Sequence, residues 1–254
     1  MTALIRAEWT KLFTTRVWLG LVLGACALAG GFAALFTALA GQDSDDGPGI
    51  PDVGTRLYEE IVFSVAANAS VFLLILGIIG MTQEYRHRTA TPTFLTAPQR
   101  GRVVTAKVIA YALVAALFAL AVVAVNYLVV AVHAGALGAA PALDGDNVTT
   151  LASSLLALTI YAVIGVGLGA LMRNQVGAIV GGLVYLFVVE PIIRSVPATA
   201  GAYKWMPGGA MEALTATLAG PELLGAWQGA LVLLGYGLVA AVLGTFLAVR
   251  RDVA

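Results

Sequence analysis

Apolar residues fall along this chain in long blocks, not in alternation. Six blocks, at about 17–40, 61–82, 107–132, 149–172, 176–193 and 226–249, approach the ~20 mostly apolar residues a helix needs to cross a bilayer. Their interiors hold almost no formal charge; Glu190, near the end of the fifth, is the exception. The period-two alternation of an outer-membrane barrel is missing. The pattern predicts an all-α membrane protein with six transmembrane helices, forming a single transmembrane domain over 1–254. Small-xxx-small spacings such as Gly20/Gly24, Gly165/Gly169, Gly177/Gly181 and Gly225/Gly229 suit close helix packing. A chain with 29 glycines also produces them by chance.

Cations orient the blocks. Arg6, Lys11 and Arg16 precede span 1, and Arg86, Arg88, Arg100, Arg102 and Lys107 lie between spans 2 and 3. Arg173 lies between spans 4 and 5, and Arg250 and Arg251 follow span 6. The other connections hold only Arg56, Arg194 and Lys204, while Asp43, Asp45, Asp46, Asp52, Asp144 and Asp146 gather there. The positive-inside rule then places both termini in the cytoplasm. The expected location is the cell membrane (inner or plasma), multi-pass. A cleaved signal peptide ending near Ala38-x-Ala40 is the rival reading. Its apolar run of about 24 residues is too long for a signal core of roughly 7–15.

Composition narrows the classes. The chain is 60% apolar and 11% charged, with mean hydropathy +0.92. Soluble domains carry roughly 25% charged residues. Zero formal charge removes the basic footprint of a nucleic-acid binder. One cysteine and two histidines leave no material for a disulfide framework or a multi-thiolate metal site.

Three connecting segments carry more than topology. In 2–16, Leu4, Ile5, Trp9 and Leu12 can share one helical face while Arg6, Lys11 and Arg16 lie elsewhere. That is an N-terminal interfacial helix, with Trp9 at headgroup level and Arg6 and Lys11 on its polar side. A charged leader that only fixes topology is the plainer alternative. Segment 84–102 is the longest cytoplasmic stretch and the most charged part of the chain, with Tyr85, Phe94 and Leu95 among its arginines. It suits docking to a soluble partner; the alternative is a basic anchor on anionic lipid. Residues 194–225 contain apolar pieces too short to span. They read either as partly re-entrant helices packed on protein before span 6 or as an extracellular loop.

The stretches IRAEWTKLFTTR before span 1 and EYRHRTATPTFLTAPQRGRVVTAK after span 2 give the chain the layout of a known family. With six spans and a partly inserted segment before the sixth, the whole chain resembles an ABC-2 type permease, of the drug- or antibiotic-efflux kind. The resemblance implies a cytoplasmic coupling helix between spans 2 and 3, and Lys107 opening span 3. It also implies an ATP-driven exporter built from two permease units, here a homodimer, and two ABC ATPase subunits. No G-x-x-x-x-G-K-[ST] occurs. ATP and Mg therefore belong on the partner subunit, with no cofactor and no enzyme activity on this chain. Glu84, Tyr85, Arg86, His87, Arg88 and Thr89 become the expected ATPase-coupling residues. The cargo expected from apolar walls is hydrophobic or amphipathic: a drug, antibiotic or lipid.

Polar residues inside spans supply the remaining candidates. Ser64 and Asn68 share a face of span 2, and Asn126 stands alone in span 3. Each either lines a pathway or hydrogen-bonds a neighbouring helix. Glu190 and Arg194 are spaced i, i+4 and form either an interfacial ion pair or an outer gate. An ion-coupled carrier and a non-transporting membrane subunit are the rival functions. The near-absence of carboxylates within the spans weighs against the first.

Overall fold

The computed structural model describes residues 1–42, 49–86, 100–215 and 223–250. Helix α1 (Thr2–Thr14) precedes six helices long and apolar enough to cross a membrane. Span 1 is α2 (Val17–Ala38). Span 2 joins α3 (Arg56–Ser64), a 3-10 turn (Val65–Ala69) and α4 (Ser70–Arg86). Span 3 is α5 (Arg100–Ala136) and span 4 is α6 (Gly145–Met172). Span 5 joins α7 (Gln175–Val184), a π-helical turn (Tyr185–Val189) and α8 (Glu190–Ser195). Two short helices, α9 (Pro197–Tyr203) and α10 (Pro207–Thr215), lead towards span 6, α11 (Ala226–Arg250).

The sequence boundaries move most at two starts. Span 2 starts at Arg56, because Thr55 caps it by accepting from the Tyr58 N–H at 3.3 Å. Span 3 starts at Arg100, so Lys107 does not open it but lies two turns inside and is 1% exposed. A two-residue turn joins spans 4 and 5. Arg173 takes the left-handed conformation (φ 50) that closes span 4, and Asn174 caps span 5 through the Gly177 N–H at 3.1 Å.

Spans 2 and 4 form the centre of the bundle, and glycine sets how closely they meet. A Cβ on Gly165 would come within 2.1 Å of the Leu74 carbonyl, and one on Gly77 within 2.0 Å of the Ala162 carbonyl. Backbone thus lies on backbone, where dispersion contacts replace the hydrophobic drive that lipid removes. Of the four small-residue pairs, Gly165/Gly169 meets span 2 tightly at both positions, whereas Gly177/Gly181 makes only ordinary contact with Met172 of span 4. Gly20, by contrast, faces open space. Helix α10 buries Pro207–Ala210 and Ala213–Thr215 against spans 4 and 6, so this part of 194–225 packs on protein.

Candidate functional site

Two polar regions sit at opposite ends of the bundle. The first gathers around α1. Its side towards the bundle centres on Glu8, 4% exposed, with Leu12 buried beside it. Glu8 falls between Leu4 and Leu12 at i±4 spacing, in the middle of the apolar stripe. The buried Lys107 ammonium donates to the Glu8 carboxylate, to the Gly80 carbonyl at 3.1 Å and to Glu84 at 3.5 Å. Lys11 donates to Glu8 at 2.8 Å and to Glu84 at 2.7 Å. Lys11 therefore turns towards the bundle, whereas the sequence pattern put it on the polar side. Half-burial opposes its charge, but the bonds and charges of Glu8 and Glu84 outweigh this and raise its pKa above the ordinary lysine value. Arg6 stays exposed. Trp9, half-buried, begins an aromatic run through Phe13 and Trp18 to Phe118 of span 3.

The expected coupling residues divide here. Glu84 is 6% exposed and held by two lysines, so its carboxylate faces inward and not towards a partner's surface. The Arg173 guanidinium lies 5.6 Å from the centre of the Tyr85 ring. Arg86 donates to Gln175 at 3.4 Å. Three consecutive side chains thus tie the end of span 2 to α1, to span 3 and to the turn between spans 4 and 5. His87, Arg88 and Thr89 lie outside the described residues.

The second region is a cavity of about 420 Å³ at the other end, between spans 2 and 5 and helices α9 and α10. Ser64, Asn68, Tyr161, Glu190, Arg194, Tyr203 and Glu212 line it. Both walls leave the α-helical ladder: the 3-10 turn of span 2 on one side, the π turn of span 5 on the other. Pro191 explains the second. It has no N–H for the Phe187 carbonyl, and the Glu190 N–H bonds Tyr185 five residues back. That spacing puts Tyr185 and Glu190 side by side. Irregular backbone at membrane depth is tolerated where it faces protein or a cavity, and π turns concentrate at functional sites.

Glu190 and Arg194 do not pair with each other. Glu190 is 4% exposed and accepts from the Gly208 N–H at 3.0 Å. Arg194 instead holds Glu212 through two bonds, 3.0 and 3.2 Å, with its guanidinium 5.2 Å from the Tyr203 ring centre. The π turn and the return of α10 override the i, i+4 expectation. Tyr203 donates to Glu212 at 3.0 Å, and burial first, then the Glu212 charge, raise its pKa and keep it protonated. Asn126 is not part of this cavity. It is fully buried in span 3 and donates to the Val62 carbonyl at 3.0 Å, just before span 2 changes helix type.

A second cavity of about 440 Å³ adjoins the first, sharing Tyr161 and Leu186, and is walled by Leu74, Ile164, Leu168, Tyr185 and Tyr236. Sequence reasoning missed Glu8, Lys107 and Glu212 as site residues, and Tyr161 as the side chain between the cavities. Only Glu8, an acid inside an apolar stripe, carried a local signal. A family model described as "ABC-2 family transporter protein" matches residues 4–189. No curated protein matches the chain.

Proposed function

The chain belongs to the ABC-2 transporter family as a multi-pass permease subunit, and from that premise we propose that it is an ATP-driven exporter of a hydrophobic or amphipathic compound. A separate ABC ATPase, carrying ATP and Mg, drives it. Two copies of the chain form the transport unit in the cell membrane, with both termini cytoplasmic. The ATPase engages α1 and the 84–102 segment from the cytoplasmic side.

The observation that carries this reading is the buried charge cluster. Coupling over a distance needs a contiguous element that moves as one piece. Glu8, Lys11, Glu84 and Lys107 lock α1, span 2 and span 3 together where a motor would push. Tyr85 and Arg86 extend the lock to spans 4 and 5. A displacement at the base then moves whole spans and reshapes the cavity walls at the far end. Glu84 acts here as a positioning residue; Arg86, with His87, Arg88 and Thr89, supplies the partner-facing contacts.

Tagged full-length chain, purified gently from its own membranes, should carry an ABC ATPase with it. Arg86→Glu should release that ATPase. Lys107→Met should retain it but disconnect ATP hydrolysis from cargo movement in proteoliposomes. Recovery of the chain with no ATPase, across several mild detergents, would overturn the reading.

A further inference from the structure

Glu190 is a buried carboxylate with neutral hydrogen-bonding neighbours. Among the described residues no lysine, arginine or histidine forms an ion pair with it. Arg194 lines the same cavity but is committed to Glu212 and stacked on Tyr203. The lining holds two carboxylates and one guanidinium, so an ionised Glu190 has no counter-charge of its own. Intramembrane carboxylates are costly without a counter-charge and mark ligand or ion paths. Beside Glu190 stands a second unsatisfied group. The Tyr161 hydroxyl is buried without a hydrogen bond, on a residue 1% exposed that lines both cavities. Beyond it the adjoining cavity is apolar and aromatic, lined by Tyr161, Tyr185 and Tyr236, and aromatic rings attract cations. Both cavities fall within the ~300–1,000 Å³ of small-molecule sites.

We propose that the two cavities together bind a lipophilic cation, its positive centre at Glu190 and its apolar body past Tyr161, between Ile164, Leu168 and Tyr236. This rests on the transporter reading and assigns its cargo class. A cationic ligand supplies the counter-charge Glu190 lacks. A neutral ligand leaves that charge uncompensated, and an anion is repelled by it.

The test uses full-length chain in lipid nanodiscs with tetraphenylphosphonium and tetraphenylborate, ions of nearly one shape and opposite charge. Binding is measured above that of protein-free discs. The phosphonium should bind and the borate should not. Glu190→Gln should weaken phosphonium binding at least tenfold, and Leu168→Trp, which narrows the apolar cavity, should weaken it comparably. Equal binding of the two ions, or unchanged phosphonium affinity in Glu190→Gln, overturns the proposal. Should the Glu190 variant not fold, the two ions on the unaltered chain decide alone. Binding needs no motor, so the two readings fail separately. Absent phosphonium binding with the ATPase still bound removes only the cargo class. Cation binding with no associated ATPase removes the transporter reading.

Discussion

Each end of this bundle buries carboxylates, and the two ends treat them oppositely. At the α1 end Glu8 and Glu84 share two lysines, one of them fully buried, and the acids and bases balance. At the cavity end Glu190 rests on a backbone N–H and a tyrosine, while the nearby arginine serves another acid. A balanced buried cluster fixes geometry, because every alternative arrangement strands a charge. An unbalanced one leaves room for something to arrive. The contrast fits the proposed division of labour, with motion transmitted at the base and cargo handled at the far end.

The largest effect should come from unbalancing the base. Lys107→Met leaves Glu8 and Glu84 to share the single charge of Lys11 and should cost about 3–5 kcal/mol, the range for breaking a buried pair from one side, read as a loss of thermal stability in nanodiscs. Combining it with Glu8→Gln and Glu84→Gln should recover most of that loss; no recovery would mean the charges are not what holds the base. Gly165→Ala comes next, at ~1–3 kcal/mol for overpacking, since its methyl meets the Leu74 carbonyl. Gly20→Ala, facing open space, is its neutral control. At the cavity, Glu190→Gln should change stability by under ~1 kcal/mol or raise it, because removing an uncompensated charge relieves a cost. A loss comparable to that of Lys107→Met would erase the contrast between the ends. Arg194→Ala should cost only ~0.2–1 kcal/mol, as an exposed pair. The smallest effect is pH. The pKa of Lys11 is raised in the folded chain, so its contribution is constant below its ordinary value of 10.5 and fades only as pH rises beyond it. Protease access to α1 should therefore not change from neutral pH to pH 10, a flat profile that a depressed lysine pKa would not give.

The spans were legible because burial in lipid writes itself into composition, one residue at a time. Their irregular turns were not. The 3-10 turn at Val65–Ala69 has no proline or charge to announce it, although Pro191 does announce the π turn of span 5. The polar clusters were hidden for a different reason. Glu8 meets Lys107 across 99 positions, and Arg194 meets Glu212 across 18. Spacing along a single helix offered Arg194 only Glu190. Ser64, Asn68, Glu190 and Arg194 were all singled out as polar residues in or beside apolar spans, and the fold brings the four to one cavity. Asn126 met the same criterion, yet packs on a neighbouring carbonyl. Polarity in a span signals a partner without saying whether that partner is a helix or a guest.

The link between spans 4 and 5 is only Arg173 and Asn174 long. Met172 and Gln175 are three Cα–Cα steps apart, at most roughly 11 Å, so these helices stay clasped at that end. Span 5 is thus held at one end, like one arm of a pair of tweezers. With 21 residues it is about 31 Å long at 1.5 Å per residue. A tilt of roughly 10° at the clasp would carry its tip about 5 Å by the same rise, and Glu190, roughly 23 Å along, about 4 Å.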